Sequence, residues 1–439
     1  MTACAVPSLL WIPGVRVMAT DRSPKTARDR MSSQEWQRCL PVYVIVSLYA
    51  AGMAAVLPVL PFYVRDMGGS PFTLGMVVAT EALSQFTSAP VLGQLSDRFG
   101  RKRILLVSQL TGSVSLLMLA VEPGIVMVMF ARALFGMTAG NIPVAAACIA
   151  EYTLPAYRRQ TMGILTGSVG LGGIVGAALS GLLSEYSLAT PLFAAVILTL
   201  VAAIVTFFLP DNGPVVSLPV KDAGSAGVSF RAVLMSPVIR TLIIVMLCHC
   251  FAYGLYSSQM PVFLGETFIW EGHAFGTKQL SYIIMADGII NVLVQIFLLG
   301  WLSRYVTERI LILLIFTLIG CGFVVAGLAG TIPVLALAVL CISTGDALAK
   351  PTYLAALSVH APPERQGVVL GSAQAMNAVT DIFSPLLGGF ILGYALYGIW
   401  LGTAVSAAIA GAVMALIYLP KGIPEAVAAK TGVRTQAGE

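Results

Sequence analysis

Six ionisable side chains stand inside long apolar runs of this 439-residue chain: Glu81, Arg132, Asp287, Asp346, Lys350 and Asp381. Charge withdrawn from water is costly, so groups kept there are expected to pair, to line a wet path or to carry protons. A carboxyl group can do all three, because a dry setting favours its neutral, proton-bearing form. Asp346 and Lys350 are spaced i, i+4 and share one helix face. Lys350 can neutralise Asp346 or snorkel toward the nearer membrane surface; the first leaves Asp346 structural, the second leaves it free for a proton. Glu81 and Arg132 each lie about seven residues into their runs, roughly 10 Å deep at 1.5 Å per residue. Equal depth makes them partners, either as a permanent ion pair or as a pair that opens when the carboxylate takes a proton. Asp287 and Asp381 fall near mid-depth with no basic neighbour in their own runs. As carriers of a coupling proton the acids rank Asp346, Glu81, Asp381, Asp287.

Polar and aromatic groups in the same runs could line a cavity: Tyr49, Asn141, Tyr253, Tyr256, Gln259, Asn291, Tyr353, Gln374 and Asn377. Against that stands the ordinary role of membrane tyrosines in packing and at interfaces. Cys248-His249-Cys250 invites a metal, but helical neighbours point about 100° apart, so packing is the expected role. The seven cysteines show no paired spacing, and neither a disulfide framework nor a zinc site is expected. No cofactor is implied.

The elements that must hold these groups are membrane helices. Hydrophobic residues make up 58% of the chain and charged residues 10%, against about a quarter charged in soluble domains. Twelve windows are long and apolar enough to span a bilayer: 40–63, 74–95, 104–121, 124–148, 162–184, 190–209, 238–263, 279–300, 309–329, 332–356, 367–392 and 397–419. Alternate connections hold nearly all the lysine and arginine, as do both tails, whereas the other set offers only Arg65 and Lys278. The basic side is cytoplasmic, so both termini are placed inside and the span count must be even. The net charge of +5 then reflects topology, and nucleic acid is not expected as a partner. Residues 1–39 form an N-terminal tail, 40–209 a first six-helix bundle, 210–237 a Pro/Gly/Ser-rich linker, 238–419 a second bundle and 420–439 a C-terminal tail. The first twenty residues lack a basic start and read poorly as a signal peptide; Met31 competes with Met1 as the start. Oligomeric state is open, and a monomer is compatible with everything above.

The two halves repeat each other. Setting Gly163 on Gly371 places Ala177 on Pro385, Ser180 on Gly388 and Gly181 on Gly389, and the same offset sets Pro143 on Pro351. Asp287 falls within a residue or two of the position equivalent to Glu81. Paired repeats with a site between them at the midplane suit a transporter that works by alternating access.

The stretch Gly93-x-Leu95-x-Asp97-Arg98-x-Gly100-Arg101-Lys102, between the second and third spans, resembles the signature loop of the major facilitator superfamily. Arg132 with Gly136 is similar to that family's pattern in the fourth helix. Gly163, Gly172, Gly176 and Gly181 resemble the fifth-helix glycine pattern of its drug/proton antiporters, with Ala177 and Ser180 standing where proline and glycine are expected. Pro58-Val59-Leu60-Pro61 is also similar to that subgroup, and tetracycline exporters are the nearest in flavour. The resemblance covers about residues 40–420 and implies gating for Gly93, Asp97, Arg98, Gly100, Arg101 and Lys102, with Asp97 and Arg101 latching the cytoplasmic ends of the halves together. It also implies proton-coupled export. The first span departs from the pattern, since it holds no acid.

No GxxxxGK[ST] phosphate loop occurs, so ATP is not expected as the energy source. The chain reads as a multi-pass secondary transporter, not an enzyme, exporting small amphipathic organic compounds against protons. Uptake of a metabolite, and a non-transporting receptor, are the alternatives. Short loops and tails place it in a bacterial inner membrane.

Overall fold

The computed structural model describes residues 33–121, 124–138, 141–153, 157–209, 236–361 and 366–420. Most of the N-terminal tail with Met31, nearly all of the linker, the C-terminal tail and the Pro362–Arg365 connection lie outside the described residues. The remainder is almost wholly helical, as the hydropathy demands: in a bilayer only a helix or a closed barrel satisfies every backbone polar group internally.

The first helix, Ser33–Val56, breaks for three residues and resumes as Leu60–Asp66. Pro58 and Pro61 cause the break: neither has an N–H to donate, and Pro61 sits where a new first turn tolerates it. The second helix, Pro71–Phe99, opens on a capping box. There Ser70 Oγ accepts from the Thr73 N–H at 3.2 Å, and the Ser70 N–H donates to Thr73 Oγ1 at 3.3 Å, satisfying two backbone donors. Gly100, at φ 92°, turns the chain sharply into the third helix, Arg101–Ala120; a side chain is strained in that conformation.

The fourth span is described as the helices Ile125–Gly136 and Asn141–Tyr152, and it counts as one apolar stretch long enough to cross a membrane. The fifth helix, Arg158–Leu183, and the sixth, Thr190–Phe207, complete the first half. The second half holds a seventh helix, Pro237–Thr267, and an eighth, Thr277–Leu293, carried through a π turn at Val294–Leu298 into Leu299–Tyr305. Glu308–Gly327, Ile332–His360, Gln366–Gly393 and Tyr397–Tyr418 follow as ninth to twelfth. A two-stranded hairpin, Ile269–Trp270 against His273–Ala274, joins the seventh and eighth helices. It is a small exception to the all-helical expectation, built on positive φ at Glu271 and Gly272 as such tight turns require.

Among the described residues, eleven helical stretches are long and apolar enough to cross a membrane. The second helix, at 29 residues, has the length but is diluted by Glu81, Gln85 and a run of serines and threonines, so the count of apolar spans is eleven where the sequence suggested twelve.

Each half has its own core. Tyr49, Leu116, Phe135 and Leu192 pack in the first half, and Leu242, Ile315, Phe323 and Trp400 in the second. Trp400 Nε1 donates to the Leu255 carbonyl at 3.0 Å. Buried hydroxyls turn back on their own helices, as Thr199 does to Ala195 and Thr206 to Ala202, each at 2.8 Å, so they cost little in an apolar layer.

The halves meet along two crossings. The second helix packs on the eleventh, and the fifth on the eighth. A Cβ on Gly75 would strike the Pro385 carbonyl, and one on Gly389 would strike that of Pro71. Likewise a Cβ on Gly181 would come within 2.8 Å of Ser281 Cβ, and one on Gly288 within 2.8 Å of Ile174 Cγ1. Gly181 and Gly389, paired by the internal repeat, thus hold corresponding cross-half contacts. At the opposite end of the bundle, Gly93, Gly163, Gly300 and Gly371 have nothing within 4 Å of such a Cβ. The bundle is shut at the Lys278 end and splayed at the Asp97 end.

Candidate functional site

The splay leaves a cavity of about 880 Å³ between the halves, within the range that holds a drug-sized molecule. Its wall is uneven. The first half contributes the second helix and the broken end of the first; the second half contributes the seventh, eighth, tenth and eleventh. Apolar and aromatic surface dominates, from Phe86, Tyr253 and Met260, and the charges are Glu81, Asp287, Asp381 and Lys350. Four of the six buried ionisable residues singled out from sequence therefore share one cavity.

Glu81 does not face it alone. Arg132, only 4% exposed, reaches from the fourth helix and ion-pairs with the Glu81 carboxylate, as equal depth predicts. The guanidinium also lies 5.2 Å from the Phe135 ring centre, and its Nε has no hydrogen-bond partner. Asp381 accepts a bond from Asn377 Nδ2 at 3.4 Å, one turn back on its own helix.

Asp346 departs from expectation. Its basic partner at ion-pair distance is His249 of the seventh helix, with Nε2 3.6 Å from Asp346 Oδ1, while Lys350 turns to the cavity wall. The i, i+4 rule identified a pair that a helix permits; the tertiary fold supplied a different one. His249 is buried against Tyr253, Tyr353 and Phe316, so the packing role expected for it holds, but its ring also faces an acid.

Of the polar and aromatic candidates, Tyr253, Tyr256, Gln374 and Asn377 line the cavity. Tyr256 presents little of itself, being stacked between Phe323 and Trp400 at 4.6 and 5.6 Å. The others sit off the wall. Tyr49 is 1% exposed and stacks on Phe135, and Asn141 is buried in the first half. Gln259 donates to the Pro385 carbonyl at 3.4 Å, and Asn291 accepts from Gln295 within the eighth helix at 2.7 Å. Tyr353 packs on His249.

Residues 42–382 match the family model described as Major Facilitator Superfamily. The chain belongs to the Major Facilitator Superfamily. It is accordingly a multi-pass membrane transporter of small molecules and not an enzyme. Among its major facilitator relatives, the class C tetracycline resistance protein of Escherichia coli is 29% identical over 85% of this chain and 93% of its own length. Multidrug resistance protein 2 of Bacillus subtilis (strain 168) is 27% identical over 81% and 89%. The quinolone resistance protein NorA of Staphylococcus aureus (strain MRSA252) is 26% identical over 86% and 95%. Among solved structures, the nucleoside transporter NupG shares the fold with a TM-score of 0.71 at 16% identity, covering 86% of this chain and 99% of its own. The human organic anion transporter MFSD10 does so at 0.61 and 19%, covering 88% and 100%.

The major facilitator signature loop lies at the splayed end. Arg101 gathers it: Nη2 pairs with Asp97 at 3.1 Å, Nη1 donates to Ser96 Oγ at 3.2 Å, and Nε donates to Glu151 at 2.6 Å. These partners belong to the second and fourth helices, so the cluster ties the first half to itself. A latch from Asp97 and Arg101 to the other half, as the resemblance implied, is not the arrangement here. Arg98 lies over Phe99 and Lys102 over Phe207, while Gly93 and Gly100 flank the turn. Glu151 escaped the sequence reading, although an acid at the same end as four basic residues was the available signal.

Of the four fifth-helix pattern glycines of this major facilitator chain, Gly172, Gly176 and Gly181 act by close approach, and Gly163 meets nothing. A Cβ on Gly172 would strike the Ser47 carbonyl and one on Gly176 that of Ala51, so the fifth helix crosses the first backbone to backbone. Ala177 and Ser180, the two departures, are fully buried, and Ser180 Oγ has no partner.

At the shut end an ion pair spans the halves, from Lys278 at the start of the eighth helix to Glu185 just beyond the fifth. Tyr397 Oη donates to Glu266 at 2.5 Å nearby. Neither Glu185 nor Glu266 drew notice in the sequence: Glu185 lies in a short connection, and Glu266 in the last turn of the seventh helix, past the end of the apolar run.

Proposed function

We propose that this chain is a proton-coupled secondary transporter that exports small amphipathic organic compounds by alternating access. The observation that carries the reading is the acid-lined cavity between two halves, shut at one end by close helix crossings and open at the other. The loop charges make the splayed, Arg101-bearing end cytoplasmic and the Lys278 end external. Twelve spans, the polar second helix included, then put both termini in the cytoplasm, with bundles at 40–209 and 238–419 joined by the 210–237 linker. On this reading the conformation is inward-open.

Substrate enters the apolar and aromatic part of the cavity from the cytoplasmic side, and the carboxylates supply the coupling. Asp346 is the first candidate for the proton, followed by Glu81, Asp381 and Asp287. Drug resistance proteins among the relatives support export of organic compounds, and bacterial relatives support a bacterial inner membrane.

The test is transport into inverted membrane vesicles with an acidified lumen, offered tetracycline, a quinolone and a lipophilic cation. Accumulation that collapses with the pH gradient is the expected result. No gradient-dependent accumulation across a wide panel of such compounds would refute export by proton exchange.

A further inference from the structure

We propose that His249 and Asp346 form one two-part proton site, in which the proton of the Asp346 carboxyl group passes to Nε2 of His249. This rests on the proton-coupled reading above. In the step, the O–H bond of Asp346 breaks as an N–H bond forms on the imidazole, leaving a carboxylate beside an imidazolium. The site carries no net charge in either arrangement. Deprotonated, with a carboxylate beside a neutral ring, it carries one negative charge.

The geometry is specific. Nε2 of His249 is wholly enclosed and has no hydrogen-bond partner; Oδ1 of Asp346 lies 3.6 Å away. That is slightly too long for a hydrogen bond. A buried imidazole nitrogen without a partner is costly, and among the described residues Asp346 is the acid at ion-pair distance that can satisfy it. The ring cannot swing away, since Tyr253 stacks at 6.2 Å, Tyr353 lies at 5.6 Å and Phe316 is edge-on at 6.4 Å. On its other edge Nδ1 is 4.0 Å from Cys250 Sγ.

The two partners differ in access. The Asp346 side chain is 29% exposed and that of His249 is 5% exposed. Asp346 can therefore meet water while His249 holds the proton out of its reach. Other titratable groups surround the pair: Cys250 and Tyr253 from the seventh helix, Asp287 from the eighth, Tyr353 and Lys350 from the tenth and Asp381 from the eleventh. The ninth helix offers Phe316, and the twelfth has no charged residue.

Asp346 alone is equally neutral when protonated and equally anionic when not. What His249 adds is a second place for the loaded proton: it rests on a ring only 5% exposed, away from the water that reaches Asp346, while the pair stays neutral and no unpaired charge is buried. Unloaded, the pair is an anionic site one turn from the cavity-lining Ser343 and Lys350, so proton and cationic substrate exclude each other.

The test uses full-length protein in liposomes with His249→Phe, His249→Gln and Asp346→Asn. Phenylalanine keeps the aromatic packing and glutamine keeps a polar contact, but neither takes the proton. Gradient-driven uphill transport of whichever compound the vesicle panel identifies should fall about tenfold or more in both His249 variants, within the usual range for coupling between two ligands. Gradient-independent exchange should remain measurable, and the pH dependence of substrate binding should flatten as it does in Asp346→Asn. Wild-type uphill transport and pH profile in His249→Phe or His249→Gln, with Asp346→Asn inactive, would overturn the role of His249 and leave the proton reading standing. Undiminished uphill transport in Asp346→Asn would overturn both. If His249→Phe does not fold, His249→Gln decides the outcome alone.

Discussion

Lys278 and Glu185 form an ion pair that joins the two halves of the molecule at the end where the cavity is shut. Both side chains are about half exposed, so the pair contributes little to stability. Its value is conformational: it can exist only while the Lys278 ends of the two halves touch, and it must break when they part. Cysteines at these two positions, oxidised to a disulfide, should hold this end closed and stop transport. Reduction should restore it. Transport at the normal rate with the crosslink complete would show that this end never opens.

Close packing makes a second demand on the same end. Gly75 lies against the Pro385 carbonyl so tightly that no Cβ fits. Gly75→Leu should hold the second and eleventh helices apart, at an overpacking cost of about 1–3 kcal/mol borne by the closed-outside state alone. The variant should lose transport, and a cysteine placed in the cavity should become reactive to an impermeant reagent from outside. Unchanged labelling would mean that the helices relax locally.

Glu81 and Arg132 are buried partners, and removing one leaves the other's charge without compensation. Glu81→Gln should destabilise the detergent-solubilised protein by about 3–5 kcal/mol, measured by thermal unfolding. The exchanged pair, Glu81→Arg with Arg132→Glu, should recover most of that loss. If stability returns but uphill transport does not, Glu81 takes part in coupling beyond its structural role. Recovery of both would make the pair purely structural.

How much of this the sequence carried depends on the range of each interaction. Apolar run length marked the helices because a bilayer sets one scale for all of them, and loop charge suggested their direction. The Glu81–Arg132 pair was visible because both residues enter from the same side at equal depth. The His249–Asp346 pair was not, since it depends on how the seventh and tenth helices are rotated about their axes, and the i, i+4 neighbour Lys350 was the only partner the sequence could offer. Four of nine polar candidates reached the cavity wall, because depth can be counted from sequence but facing cannot.

Arg101 illustrates a middle case. Its motif identified the loop correctly, yet Glu151 decides what the guanidinium holds in this state. Glu151→Gln should free Arg101 from the fourth helix, shifting the balance between open and closed cytoplasmic ends. Distances between spin labels on the second and eleventh helices at that end should change their populations relative to the unmodified protein. Identical distributions would make Glu151 irrelevant to gating.

The central claim is that substrate leaves as protons enter through one site. Its most direct test is proton movement driven by substrate: protein in liposomes carrying a pH-sensitive dye inside, with a transported compound placed on one side and no pH gradient imposed. The account predicts a proton flux opposite in direction to the flow of compound, lost in Asp346→Asn. Downhill movement of the compound with no accompanying proton flux would contradict it.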